Sequence, residues 1–536
     1  MPSFRIDKKA SGHYMSIVES YRDANGNPKI KTLAQLGKVE NFNPATLQSA
    51  AKRLYALSGG DPAELDGPQT KELSRVNFGY EQIVDVLLKY YGIDHLCRRI
   101  VKKHKLSFDI EQVLTLMIIE RLNEPCSKLS SYHHQNEYFD LSGIELQWIY
   151  RSLDKLDQYS DMIQQQVYLK GRDLFNQKLD IVFYDVTTFY FDSDDEKQGA
   201  LRHKGFSKDG KIGKTQIVYG MLIDKYKQPV GYQIFEGNTF EGHTLKVALQ
   251  DLKKKYQLDR IIVVADRAML SAANIEMVTQ ELGMKYIFGE RLKSMPVSVQ
   301  DIFLDTTKYD RSWTYNKSGE QIQISYYSCE YKDRRIISTY SEKRARKDKY
   351  DREQKVDKAR ILLQTPSKLN TKAKYHYITN TSESKYELNE KKIARAALFD
   401  GILAICTNDD TLTDIEVLDQ YRHLFQIEHS FRTMKSMLEV RPMFHWTDKR
   451  IRGHIAMCYL TLAILRNIQL KLRKAGFHWS EGDIIRQLDK MQVSKIDQGG
   501  ETFYLRSKIT EEQEVLESTF KLKPIKPINN KELKIK

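Results

Sequence analysis

The spacing of apolar residues changes several times along this chain, and each change predicts a different kind of element. The opening stretch HYMSIVESYRDANGNPKIKTLAQLGK alternates apolar and polar positions on either side of Asn25-Gly26, a dipeptide suited to a tight turn, so residues 1–42 are predicted to form a β-hairpin element. From 43 to 178 the apolar residues take helical spacing, as in GYEQIVDVLLKYYGIDHLCRRIVKKHK and FDIEQVLTLMIIERL. That period predicts a wholly helical region. At Leu179 the pattern turns to short apolar runs: IVFYDVTTFYF, TQIVYGMLID and GYQIFEGN read as strands, HTLKVALQDLKKKY as an amphipathic helix, and RIIVVAD and KYIFGE as further strands.

Three strands close enough to pair antiparallel, then a helix and another strand, is the order in which a ribonuclease H-like core is built. Residues 179–290 are assigned to its first part. Residues 291–400 break the pattern with the strand-like pieces SWTYNK, QIQISYYSCEY and RRIISTYS and the charged helix EKRARKDKYDREQKVDKARILL, and are expected to form a β-rich insertion. In that helix Lys and Arg are interspersed with Asp and Glu, which favours a solvated face. Helical spacing returns in TDIEVLDQYRHLFQIEHSFRTMKSML and GHIAMCYLTLAILRNIQLKL, so residues 401–475 are expected to complete the core. Residues 476–536 form a C-terminal region, with dimerisation as one role for it, and their basic, proline-punctuated tail is expected to be mobile. The predicted fold class is a multidomain α+β protein: a ribonuclease H-like α/β core interrupted by a β-rich insertion and preceded by a mainly helical region.

Asp185 is out of place in this pattern. It sits in the middle of IVFYDVTTFYF, where a carboxylate is costly to desolvate unless a cation meets it. Asp266 ends the apolar run of RIIVVAD, the position where a strand delivers a side chain to a site at its carboxyl edge. Glu428 lies in DQYRHLFQIEHSFRTMKS, a helix made largely apolar by Leu424, Phe425, Ile427, Phe431 and Met434. Tyr421, Glu428 and Lys435 fall at heptad spacing and share one stripe of it. Three carboxylates brought together repel one another unless divalent metal neutralises them. Oxygen ligands without cysteine or histidine suit Mg²⁺ or Mn²⁺, and two such ions clamp the attacking and leaving oxygens of a phosphoryl displacement. Singly, each residue has a plainer reading: a structural aspartate, a Glu428–Arg432 pair one helical turn apart, a core tyrosine, a surface lysine. The combination is what points to chemistry.

Charge then narrows the partner. Lys and Arg number 85 against 71 Asp and Glu, a net charge of +14, which favours a polyanion such as nucleic acid. Arg98, Arg99, Lys102, Lys103 and Lys105 gather in CRRIVKKHK, and GIELQWIYRSLDKL reads as the second helix of a helix-turn-helix unit. The helical region is therefore assigned to DNA binding, an ordinary solvated basic face being the alternative. Five scattered cysteines without a CxxC pair argue against a disulfide scaffold or a zinc ribbon and fit a reducing cytosol. The N-terminus does not resemble a signal peptide, and the run IAMCYLTLAIL is too short to span a bilayer. A soluble cytoplasmic protein with no membrane partner is expected.

These residues also resemble a known family, the DDE transposases of bacterial insertion sequences, in the group with a YREK-type motif. YDVTTFYF is similar to the family's first-aspartate strand, VVADRAML to its second, and YRHLFQIEHSFRTMK to its glutamate helix. EGNTFEGHT and RPMFHWTDKRIRGHI match further motifs, so the resemblance runs from Tyr184 to Leu465, and SYRDANGNPKIKTLAQLGK resembles the opening of some members. It implies that Asp185, Asp266 and Glu428 are the catalytic metal-binding triad, for Mg²⁺ with Mn²⁺ as a substitute. It also implies that Tyr421 and Lys435 contact phosphates at the transposon end. Leu424 stands where the motif has arginine, which leaves Arg422 or Arg432 as the replacement, or none. The long separation of Asp266 and Glu428 resembles members with a β-rich insertion. In such enzymes an insertion aromatic stacks on a flipped base, and Trp313 is the candidate here, with packing inside the insertion as the alternative. Thr187 and Thr188 are read as strand formers, and His243, His423 and His429 as packing or phosphate-proximal residues.

The implied function is a transposase that binds the terminal inverted repeats of an insertion sequence and carries out metal-dependent DNA cleavage and strand transfer. Its partners would be double-stranded DNA, both element ends and target, and a second copy of itself in the synaptic complex, in the bacterial cytoplasm at the nucleoid. Two alternatives stand beside it. A catalytically silent or domesticated DNA-binding derivative is one, for which Leu424 leaves room. A stand-alone ribonuclease H-like nuclease or resolvase is the other, and a simple nuclease needs neither the insertion nor the basic N-terminal region.

Overall fold

The computed structural model describes residues 2–66, 70–173, 181–196, 200–211, 213–256, 261–317, 319–364, 377–382 and 385–530. The chain forms two units, one of Met1–Arg75 with Val493–Arg506 and Lys526–Leu533, the other of Val76–Gln492 with Ser507–Ile525 and Lys534–Lys536.

In the first unit β1 (Pro2–Lys9), β2 (Gly12–Arg22) and β3 (Pro28–Lys38) form an antiparallel sheet. The predicted turn joins β2 to β3: Gly26 takes a φ of +81°, and the Asp23 carboxylate accepts from the N–H groups of Asn25 and Asn27. The hairpin thus gains a third strand. Pro44–Leu57 is a helix capped by the Asn43 side chain. The all-helical expectation for 43–178 then fails at β4 (Thr70–Asn77), which joins a sheet with Gln492–Gln498, Glu501–Arg506 and Ile528–Asn529. Its partners come from the far end of the chain, beyond the reach of any local pattern. The same sheet corrects the expectation of a mobile tail, because Ile528 and Asn529 pair with Leu505 and Tyr504; residues 531–536 lie outside the described residues.

The second unit begins with the predicted helices, among them Gly79–Tyr91, Ile93–His104, Ile110–Leu122 and Leu146–Gln158. Arg98, Arg99, Lys102, Lys103 and Lys105 are all exposed. The core sheet follows: β5 (Ile181–Tyr190), β6 (His203–Lys204), β7 (Thr215–Asp224), β8 (Pro229–Glu236), β9 (Ile262–Ala265) and β10 (Lys285–Gly289). β5, β7 and β8 run antiparallel in sequence, while β9 and β10 are parallel to β5, the ribonuclease H-like arrangement.

Residues 291–400 were expected to interrupt this core, but three of their strands enlarge it. β11 (Arg311–Lys317), β12 (Glu320–Tyr331) and β13 (Arg334–Tyr340) extend the sheet, whereas β14 (Ile378–Ser382) and β15 (Lys385–Leu388), among the described residues, form a separate pair. β16 (Ile402–Thr407) lies between β13 and β10 and joins the two parts. Ile336 and Ile337 of β13 are fully buried on opposite faces of the strand, which demands cover on both sides.

One face of the sheet packs Tyr184, Val186, Val263 and Ala265 against Leu245, Leu249 and Leu252 of the helix Glu241–Tyr256. On the other face Tyr219 meets Phe431 and Tyr232 meets Tyr459, at ring separations of 6.2 and 4.9 Å. Tyr459 belongs to the helix Asp448–Lys474. That helix is long and apolar enough to cross a membrane, contrary to the expectation from its apolar run, yet 94% of its apolar window is buried inside the fold. Gly453 lets it approach Leu146–Gln158 closely, since a Cβ there would lie 2.0 Å from the Leu153 carbonyl oxygen.

Candidate active site

The pairing of β5 with β9 places the first two carboxylates. Tyr184 stands opposite Ala265 in parallel register, so Asp185 and Asp266 leave adjacent strands at the same level and on the same side. Asp185 points away from the helix that covers Tyr184, toward the face covered by the segment around Glu428. Asp266 caps the short turn Arg267–Met269, its carboxylate accepting from the Arg267 N–H at 2.7 Å.

Glu428 closes the arrangement from Phe425–Arg432. With Asp185 it lines a cavity of about 310 Å³, and with Asp266 a larger one of about 1180 Å³. Among the described residues the donor cluster within 4.8 Å is Glu120, Cys126 and His134, so the three predicted ligands are not drawn together to that distance, and Glu428 is the one of them that borders both cavities. Burial, the foremost cause, and the charges of Asp266 and Glu241 push the Asp185 carboxyl up to about 6, against the opposing pull of Lys208 and the Val186 N–H. The cation that desolvation demanded is Lys208. Its Nζ lies 3.8 Å from Asp185 Oδ1 and 3.0 Å from Glu241 Oε1, and it donates to the Val186 carbonyl at 2.7 Å. An ammonium already drawn to these oxygens, and a donor set of carboxylates alone, fit a hard divalent cation.

The single glutamate helix expected from heptad spacing is broken. Asp414–Arg422 ends at His423, Phe425–Arg432 restarts with Leu424 at its N-cap position, and Thr433–Met437 widens into a π-helical turn. Tyr421 and Lys435 consequently serve different cavities. The Tyr421 hydroxyl abuts Gly289, where a Cβ would come within 2.5 Å, and its phenol pKa is raised by burial first and by the Asp266 charge second. Lys435 faces the smaller cavity and donates to Asp209 at 2.9 Å; burial lowers its pKa and Asp209 opposes that shift.

The remaining candidates divide between the two spaces. Arg432 lines the smaller cavity. Arg422 lines the larger one, stacks over Tyr315 at 3.9 Å and donates to the Asn316 carbonyl. Trp313 is 6% exposed, and its indole N–H donates to Asp419 at 2.9 Å, so in this conformation it packs the wall of the larger cavity. His429 sits beside Arg466 and Glu481, His423 Nδ1 accepts from the Gln426 side-chain amide, and His243 leans on Phe240. Thr187 lines the smaller cavity and Thr188 accepts from the Lys208 N–H.

Three residues of the site carry little signal in the sequence. Glu241 lies in EGNTFEGHT and Arg441 opens RPMFHWTDKRIRGHI, where no local pattern marks either as part of a site. Lys208 lies in SKDG, whose opposed charges next to a glycine in a turn were the available signal.

A ribonuclease H-like sheet with aspartates on two adjacent strands and a glutamate on a facing helix defines the class of DDE phosphoryl-transfer enzymes. The transposase DDE domain family matches residues 176–464, and the chain belongs to that family: it is a DDE transposase. The IS1634 family transposase N-terminal domain matches residues 4–64. No curated protein matches the chain. Among solved structures, the piggyBac transposase synaptic complex with hairpin DNA is 10% identical, covering 77% of this chain and 78% of that one with a TM-score of 0.37. The Mos1 mariner paired end complex with Mn is 12% identical, covering 46% and 78%, with a TM-score of 0.14.

Proposed function

We propose that this transposase binds the terminal inverted repeats of an insertion sequence and performs cleavage and strand transfer at the site framed by Asp185, Asp266 and Glu428. The observation that carries this reading is the shared level of Asp185 and Asp266 on β5 and β9 beneath Glu428. These three side chains would hold Mg²⁺, with Mn²⁺ as a substitute; when bound, the ions supply activation of the attacking oxygen and neutralisation of charge at the phosphate. In the first step water attacks phosphorus, the P–O3′ bond breaks, and a 3′-hydroxyl leaves. In the second step that 3′-hydroxyl attacks a target phosphate and displaces the target's own 3′-oxygen. Lys435, Arg432 and Arg441 line the smaller cavity and offer positive charge to the scissile strand. Tyr421 and Arg422 face the larger cavity and offer contacts to the flanking strand. A homodimer that pairs two ends, and a place at the bacterial nucleoid, belong to the same reading.

The test is cleavage of a labelled duplex carrying the element's own end, by wild type and Asp185→Ala, with Mg²⁺ or Mn²⁺. Nicking by the wild type, and binding without nicking by the variant, is the expected result. Binding by both with no cleavage in either metal would instead favour a DNA-binding derivative.

A further inference from the structure

Lys208 and Asp209 are consecutive, opposite in charge, and each is met by the opposite charge of the site. Asp209 lies between Lys435 Nζ at 2.9 Å and Arg441 Nε at 3.4 Å, and the three side chains are only 15%, 12% and 21% exposed. Lys208 reaches the other way, to Asp185, Glu241 and the Val186 carbonyl. Lys208, Lys435 and Arg441 line the same cavity of about 310 Å³ as Asp185 and Glu428. A short turn presents the pair: the Ser207 hydroxyl accepts from the N–H groups of Asp209 and Lys211, and Gly210 takes a φ of +67°.

The fit between Asp209 and Arg441 is incomplete. Asp209 Oδ2 and Arg441 Nε are both buried and face each other as an ion pair at 3.4 Å without a hydrogen bond. A planar carboxylate satisfies Lys435 and falls short of Arg441. A tetrahedral phosphodiester has more oxygens to offer and can satisfy both.

We infer that Lys208 and Asp209 form an internal plug, in which Asp209 holds the place of a DNA phosphate between Lys435 and Arg441 while Lys208 holds the place of a cation at Asp185. The inference rests on the proposed role of Asp185 as a metal ligand. Because the two residues are adjacent, a phosphate that displaces Asp209 also withdraws Lys208. DNA arrival then opens the carboxylates to divalent cation, and without DNA they stay occupied. Arg441 thereby takes the phosphate contact that Leu424 cannot make.

The experiment uses the full chain and two separate readouts: anisotropy of a labelled duplex carrying the element's end over a range of salt, and Mn²⁺ binding by electron paramagnetic resonance without DNA. Asp209→Asn is expected to bind the duplex about tenfold more tightly, because the competing anion is gone. Lys208→Ala is expected to bind Mn²⁺ about tenfold more tightly in the absence of DNA. Arg441→Ala is expected to reduce the slope of log affinity against log salt by about 0.9, the value for one phosphate contact. Asp209→Glu keeps the plug and should behave as wild type. Unchanged or weaker duplex binding by Asp209→Asn would make Asp209 a brace for the cations and overturn the plug, as would wild-type Mn²⁺ affinity in Lys208→Ala. Asp185→Asn separates the two readings: if it retains Mn²⁺ binding, the metal-ligand role fails, whatever the duplex measurements show.

Discussion

Tyr184 and Ala265 face each other across the parallel pair β5 and β9, and this one register sets Asp185 and Asp266 side by side. The residues themselves are buried and apolar on the opposite face, so the packing that orders the core also aims the carboxylates. Slipping the register by one residue would turn one aspartate into the core, which is why the alternation is strongly specified.

The crowding of Asp185 predicts a pH dependence. Its pKa of about 6 in the folded chain lies above the ordinary 3.8, so its contribution to the stability of the metal-free protein is complete below pH 3.8 and is lost as pH rises through about 6. Asp185→Asn should therefore match wild type near pH 4 and exceed it by up to about 3 kcal/mol at pH 8. Thermal unfolding in chelator across that range checks it; a constant difference would show that Asp185 is not strained by burial.

Gly289 predicts a way to disturb the site without touching a carboxylate. A Cβ there would lie 2.5 Å from the Tyr421 hydroxyl and 3.0 Å from the Arg267 backbone nitrogen, next to Asp266. Gly289→Ala should cost about 1–3 kcal/mol in stability and impair cleavage more than duplex binding. Recovery of stability with Tyr421→Phe in the same chain would identify the hydroxyl clash as the cause.

A purely structural counterpart lies at Gly453. Its missing Cβ would meet backbone, the Leu153 carbonyl oxygen at 2.0 Å, and backbone cannot step aside as a flexible side chain can. Gly453→Ala should lower stability by about 3 kcal/mol in urea unfolding. A neutral result would mean that the two helices separate freely.

Trp313 predicts a division between packing and DNA contact. Trp313→Phe keeps an aromatic ring and loses the N–H bond to Asp419, for an expected loss of about 1 kcal/mol with cleavage retained. Trp313→Ala empties the wall of the larger cavity and should cost about 3–5 kcal/mol. A variant that folds as wild type yet fails only at the step that exposes a base would return Trp313 to a stacking role.

Local pattern by itself determined a good deal. Alternation around Asn25-Gly26 specified the first hairpin, helical periods marked the region from Gly79 to Asp173, and apolar runs located β5, β7 and β9, because each of these signals arises within a few residues of chain. The lone aspartate in β5 was itself a sequence-level anomaly that pointed to a cation. Tertiary structure alone decided the rest. β4 exists because strands at the far end of the chain pair with it, and β11 to β13 extend the core sheet because β16 accepts them as neighbours. The break at Leu424 and the π-helical turn sent Tyr421 and Lys435 to separate cavities, although heptad spacing put them on one stripe. Nothing in the linear order tells that Lys208 would meet Asp185, or Asp209 meet Lys435 and Arg441. Charges find their partners through space, and only the folded chain fixes which ones share a low-dielectric cavity.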